Sequence, residues 1–270
     1  MGIEVALALS EKEKRDSFWV RHEVFAKEGG WIPTNNEEQE YDKYDFSSRA
    51  YHLVAYDEGK PVGTVRVLMH DPEIAKEDET RGGLHIEKSF RIDYSGPIDK
   101  VIDLSRSSVL RSHRSKNVLA SLYAKAVRLV GDFGVEQILG GANPSTNSVE
   151  EANLMLSFAK MGCYYSDKIS LHPLCTDQTK EPHLYYDLDT SEKLKRIVKE
   201  NDLYEFFEKY FPPVIRIVTQ KFGFTFCGNP SYDSSVNMCS MPMNLTVERA
   251  KQNAFLRSVE QSLPPLRNYE

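Results

Sequence analysis

The sequence is poor in the features that mark several large functional classes. Its four cysteines, Cys163, Cys175, Cys227 and Cys239, form no C-x-x-C pair, and a chain this long needs no covalent staples. That excludes a disulfide framework and favours reduced thiols in a cytoplasmic setting. Zinc signatures are missing too: His172 and His183 flank a loop at a spacing that fits no common ligand pattern, so no metal is expected. Positive charge is in deficit. A formal net charge of −6 runs against generic nucleic-acid binding, which needs a basic field to neutralise phosphates, so any anionic partner must be met by a local patch. No apolar run approaches the roughly 20 residues that cross a bilayer. The opening stretch MGIEVALALSEKEKRD has no basic segment ahead of its apolar residues, and Ala6 stands where a myristoylation signal needs Ser or Thr. The sequence therefore reads as neither a membrane span, a signal peptide nor a lipid-anchor site.

What is present is an ordinary core-forming chain of 270 residues, 40% of them apolar, long enough for one large domain or two small ones. Ser10 caps a predicted helix with Phe18, Val20, Val24 and Phe25 near one face, and Gly29-Gly30 stops it. An acidic, aromatic loop follows. AYHLVAY and PVGTVRVLM flank the turn DEGK as a β-hairpin, with Val65 and Val67 on one face and Thr64 and Arg66 on the other. VIDLSRSSVL is the next strand. The helix after it turns Leu119, Leu122, Ala126 and Leu129 inward, turns Ser121, Lys125, Arg128 and Asp132 outward, and ends at Gly134. VEQILGGA then completes a βαβ unit with a parallel pair.

A helix over SVEEANLMLSFAKMG follows, and CYYSDKISL and PHLYYDLD read as two further strands. The later stretch VIRIVTQKFGFTF…MCSMPMNLTV repeats this helix, Gly, strand, strand order. The earlier copy has the shorter connection and is expected to finish the sheet. A core over residues 1–190 is expected, with 191–270 as a partly helical extension that packs on the core or completes it. Its helix starts as SEKLKRIVKENDLYEFFEKYF, and its end, SLPPLRNYE, reads as disordered.

Asp103 and Arg106 lie on the strand before a basic loop carrying Arg111, His113, Arg114 and Lys116. Strict alternation sends the acid and the arginine to opposite faces, so they serve one site only if the strand bulges; otherwise they are a strand-end ion pair. The loop runs into a helix N-terminus, whose unpaired N–H groups suit a pyrophosphate or phosphopantetheine phosphate. A solvated charged loop is the plain alternative. His52 and His113 read as bystanders.

Taken in order, RHEVF, YDKYD, VGTVRVL and DLSRSSV…R resemble the autoinducer-synthase-like branch of the GNAT acyltransferases, which includes acyl-homoserine-lactone synthases, N-acyl amino acid synthases and exosortase-associated acyltransferases. The resemblance implies an α/β fold with a mixed central sheet, a splayed parallel strand pair and helices on both faces. It implies a catalytic group of Asp103, Ser105 and Arg106, with Asp103 as the base. Asp103 stands where Glu is usual, one methylene shorter. Donor-binding residues would be Ser107, Val109, Arg111, Arg114, Ser115, Lys116, Asn117 and Val118, although RSHRSKN replaces the usual glycine pattern. Arg21, Phe25, Trp31, Asp42, Asp45 and Arg66 would line the acceptor or acyl pocket or tie down its loop.

The implied activity is N-acyl transfer from a phosphopantetheine thioester, on acyl carrier protein or coenzyme A, to the amine of an amino acid or related small molecule. No permanently bound cofactor is implied. The length of residues 191–270 favours the amino acid synthase type over the lactone type. An acetyl-coenzyme A-dependent acetyltransferase and a noncatalytic acyl-binding sensor are the other readings.

Overall fold

The computed structural model describes residues 2–177, 180–200 and 210–269. In chain order the elements are β1 (Glu4–Leu7), α1 (Glu11–His22), β2 (Ala50–Asp57), β3 (Lys60–Met69), α2 (Pro72–Glu77), β4 (Phe90–Asp93), β5 (Val101–Val109), α3 (Val118–Asp132), β6 (Gln137–Ala142), α4 (Val149–Met161), β7 (Ser170–Pro173), α5 (Leu188–Glu200), α6 (Pro213–Arg216), β8 (Thr225–Phe226), β9 (Ser231–Asp233), β10 (Met238–Thr246), α7 (Val247–Gln252) and α8 (Ala254–Ser262). They form two compact units, one of Met1–His85, Ile98–Ile138 and Thr246–Glu270, the other of Ile86–Pro97 and Leu139–Leu245. Neither unit ends at residue 190, where the sequence suggested a boundary.

In the first unit the strand order is β1-β2-β3-β5, followed by β6 where it enters at Gln137 and Ile138. The pairings β1/β2, β2/β3 and β3/β5 are antiparallel, and the α3 crossover makes β5 and β6 the parallel neighbours. The hairpin closes through Glu58 and Gly59, both at positive φ (51° and 77°). This is the two-residue turn whose twist matches the flanking strands. Ser10 caps α1 in a reciprocal box with Glu13, and a π-helical turn over Glu23–Glu28 extends the helix to Gly29.

Helices cover both faces of this sheet. On one face Ser17 of α1 hydrogen-bonds Thr64 at 2.7 Å. On the other, α3 packs so closely that a Cβ added at Gly63 would lie 2.6 Å from the Val118 side chain. With both faces covered, Thr64, Arg66 and His52 are as buried as Val65 and Val67. The strand alternation therefore separates two buried layers, not core from solvent.

Two expectations for this unit fail. Ser121 and Lys125, assigned to the outer face of α3, are buried, because α8 packs there and Glu260 receives the Lys125 ammonium at 3.2 Å. Arg128 and Asp132 do face outward. The tail is not disordered: the Arg267 N–H donates to the Val5 carbonyl at 3.1 Å, the Leu7 N–H donates to the Arg267 carbonyl at 3.0 Å, and Leu266 is buried. The tail thereby pairs along β1, a strand the sequence reading did not assign.

In the second unit β6 neighbours β10, β10 neighbours β8, and β8 and β9 pair antiparallel with β10. The later sequence copy, not the earlier, therefore completes the sheet. Of the two strands expected in the earlier copy, one is reduced to β7, which pairs with β4 in a separate two-stranded sheet. The other is absent: residues 181–187 form no strand. Their backbone groups are taken by side chains at the start of α4 instead. The Glu151 carboxylate accepts the N–H of Tyr185 and of Tyr186, each at 2.8 Å, Thr146 donates to the His183 carbonyl, and Asn147 accepts the His183 N–H. Amides used this way cannot join a ladder. The helix expected from Ser191 to Phe211 begins earlier, at Leu188, and its stretch over 201–209 lies outside the described residues.

Candidate functional site

The strand β5 bulges. Arg66 pairs with Ser105 and Thr64 with Ser108, so Arg106 and Ser107 together oppose Val65, and Arg106 takes the left-handed conformation with φ 56°. This one extra residue meets the condition set by strict alternation. Asp103, Ser105 and Arg106 now project to the face under α1, while Ser107 turns to α3 and meets the Tyr123 hydroxyl at 3.1 Å.

On that face the acidic loop docks by ion pairs. Arg21 grips Asp45 with two hydrogen bonds of 2.8 Å and also pairs with Glu40. Arg66 reaches Asp42 at 2.6 Å and Asp45 at 2.8 Å and donates to Ser105 at 3.2 Å. Arg106 pairs with Asp42 at 2.8 Å and Glu40 at 3.3 Å, and its guanidinium lies over the Phe25 ring, 5.9 Å from the centroid. The D-x-x-D spacing has a local cause: Asp42 accepts the Tyr44 N–H and Asp45 accepts the Asp42 N–H, a capping box on the 3₁₀ turn Lys43–Phe46. One motif thus shapes the loop and aims two carboxylates at arginines.

The electrostatics follow from this pairing. Burial alone would push the Asp42 carboxyl up, but Arg66, His85 and Arg106 outweigh it and hold it well below the usual carboxylate range. Asp45 is likewise held down against its burial by Arg21 and Arg66. Burial opposes the charge on Arg21, and Glu40 and Asp45 more than restore it. His52 touches the network at 3.9 Å from Asp45, yet burial dominates there and lowers its pKa to about 4.

Asp103 is 1% exposed, and the His85 imidazole lies between the two acids, with Nδ1 3.9 Å from Asp103 and Nε2 3.6 Å from Asp42. The Tyr44 ring meets the imidazole edge-on at 5.4 Å. Neither His85 nor Glu40 lies in the motifs that carry the family resemblance. Glu40 shares the acidic loop with Asp42 and was available to a wider reading of that loop, whereas no motif surrounds His85. The Phe25 and Trp31 rings meet at a tilt, with centroids 5.7 Å apart, and Trp31 is exposed.

The basic loop lies on a different part of the first unit and is already paired. The Glu28 carboxylate accepts the Arg111 N–H at 2.9 Å and meets Arg114 at 2.5 Å. Asp57 meets Lys116 at 2.8 Å and His113 at 3.2 Å. Ser115 is exposed, and Asn117 turns the chain into α3 with φ 58°. Val109 and Val118 are buried. The expected donor residues are thus contiguous along the β5–α3 connection, and none of Val109, Ser115, Asn117 or Val118 enters the ion-pair network.

Residues 20–124 match the family model described as the acetyltransferase (GNAT) domain. The uncharacterized N-acetyltransferase YjcF of Bacillus subtilis (strain 168) is 39% identical over 69 residues, 26% of this chain and 45% of that protein, so the match spans less than half of that relative. Among solved structures, the CoA-dependent acyl-homoserine lactone synthase BjaI, with SAM and isopentyl-CoA, superposes with a TM-score of 0.52 at 15% identity, covering 100% of this chain and 93% of that one. A second CoA-dependent acyl-homoserine lactone synthase, MesI, gives 0.50 at 14% identity over 99% of this chain and 100% of that one. At such identities the likeness is one of fold.

Proposed function

We propose that the protein is an N-acyltransferase that moves an acyl group from a phosphopantetheine thioester to the amine of an amino acid or related small molecule in the cytoplasm. The observation that carries this reading is the β5 bulge, which turns Asp103, Ser105 and Arg106 to one face beside a GNAT-type strand-to-helix loop. The phosphopantetheine arm lies along β5 and its phosphate meets the loop of Arg111, Arg114 and Lys116, displacing Glu28 and Asp57. Backbone N–H groups at the bulge face the thioester oxygen, a contribution of roughly 3 to 4 kcal/mol to the transition state when donors are well placed. Arg21, Arg66 and Arg106 hold the acidic loop, and Phe25 and Trp31 wall the acyl or acceptor side.

The thioester is a cosubstrate, supplied by acyl carrier protein or by coenzyme A, and the chain needs no resident cofactor for this chemistry. An acidic carrier protein would dock through Arg111, Arg114 and Lys116 with an affinity that falls as salt rises. The test is thiol release from acyl-coenzyme A and acyl-carrier-protein donors of graded chain length against a panel of amino acids and S-adenosylmethionine. Turnover with an amino acid supports the reading, and turnover with S-adenosylmethionine alone supports lactone synthesis. Failure of every amine overturns the enzymatic reading in favour of an acyl-binding module.

A further inference from the structure

We infer that His85, and not Asp103, takes the proton from the acceptor amine; this rests on the N-acyltransferase reading. A free α-amino group titrates near about 7.7 to 8.0, so a base must be within reach of it at neutral pH. The carboxylates of the cluster are poorly placed for that task. The Asp103 side chain is 1% exposed, Asp45 is 0% exposed and gripped by Arg21 and Arg66, and Glu40 is buried against Arg21. Asp42 is committed to Arg66, Arg106 and the Tyr44 N–H. His52 is buried.

His85 differs in access and chemistry. Its side chain is 23% exposed, and imidazole is the side chain whose ordinary pKa lies near neutrality. It stands between the buried Asp103 and the loop acid Asp42, so an amine approaching the cluster meets the ring before it meets Asp103.

The step balances with groups already present. The neutral amine nitrogen attacks the thioester carbonyl and the C–N bond forms. Its proton passes to Nε2, giving an imidazolium whose Nδ1–H faces Asp103. The C–S bond then breaks, and the imidazolium returns the proton to the departing sulfur, which leaves as the thiol. Asp103 acts through His85 and is a positioning residue. Asp42 and Tyr44 from the 3₁₀ turn and Asp103 from β5 face His85, and Arg66 and Arg106 pair with Asp42.

The experiment compares full-length wild type, His85→Gln, His85→Ala and Asp103→Asn in thiol-release kinetics across pH. His85→Gln is expected to lose about a hundredfold or more in kcat while the thioester KM moves less than about threefold, and to lose the acidic limb of the kcat profile at saturating amine. Added imidazole is expected to restore part of the His85→Ala rate. Asp103→Asn is expected to keep that limb but shift it. An unchanged thermal midpoint separates these effects from misfolding. If His85→Gln keeps the wild-type limb, or if Asp103→Asn removes it while His85→Gln does not, the assignment to His85 is overturned and the acyltransferase reading stands. If wild type transfers acyl groups to no amine, both go.

Discussion

The Arg21 guanidinium and the Asp45 carboxylate meet fork to fork, Nη1 to Oδ1 and Nη2 to Oδ2, and neither side chain is exposed. Removing one partner of such a pair strands a buried charge. Arg21→Ala is therefore expected to lower stability by about 3 to 5 kcal/mol, read from urea unfolding. Arg21→Lys restores the charge but not the planar fork, and falls between the two. A loss under about 1 kcal/mol, the range of an exposed pair, would show that the network is not a structural anchor.

Arg106 combines a backbone demand with a side-chain contact, and the two separate by substitution. Arg106→Gly accepts φ 56° without strain but deletes the contacts to Asp42, Glu40 and Phe25, so it is expected to fold and lose acyl transfer. Arg106→Val adds a β-branched side chain at positive φ and is expected to cost about 1 to 3 kcal/mol more than the glycine variant. Thermal unfolding of the pair checks the order.

Glu28 and Asp57 occupy the cations that, on the proposed reading, would receive the donor phosphates. The double change Glu28→Gln, Asp57→Asn removes this competition and is expected to lower the KM for acyl-coenzyme A about severalfold, with a steeper salt dependence. An unchanged KM at low salt would place the donor phosphates elsewhere.

His52 gives a signature in acid. Its pKa is about 4 in the folded state against an ordinary 6.5, so between those values the unfolded chain binds the extra proton. Stability from this group is complete above pH 6.5 and drains away as pH falls toward 4, by up to about 3 kcal/mol. His52→Gln is expected to flatten that part of the stability profile. An identical slope in the variant, measured by urea unfolding at stepped pH, counts against a buried neutral ring. Asp42 and Asp45, both held low, add their own loss only below the ordinary carboxylate range.

The sequence was legible wherever one segment decides its own structure. The Ser10 cap, the Glu58-Gly59 turn and the α3 period each depend on residues a few positions apart. The ordered motifs also pointed to Arg21, Asp42, Asp45, Arg66 and Arg106, which the fold does bring together. His85 was not legible, since its importance comes from Asp42 and Asp103, distant along the chain and adjacent in space. Glu28 and Asp57 were missed for the same reason: nothing local says that they reach Arg114 and Lys116.

What the amino-acid order determined alone was the set of helices and strands with strong local period, and a family resemblance with its candidate residues. Tertiary structure decided which of two similar copies completed the sheet, whether β5 bulged, and which faces of α3 met water. The reason is that hydrogen-bond demand is met globally. Glu151 takes the amides of Tyr185 and Tyr186, α8 covers Lys125, and β1 takes up the tail, and each choice depends on partners that no short window of sequence contains.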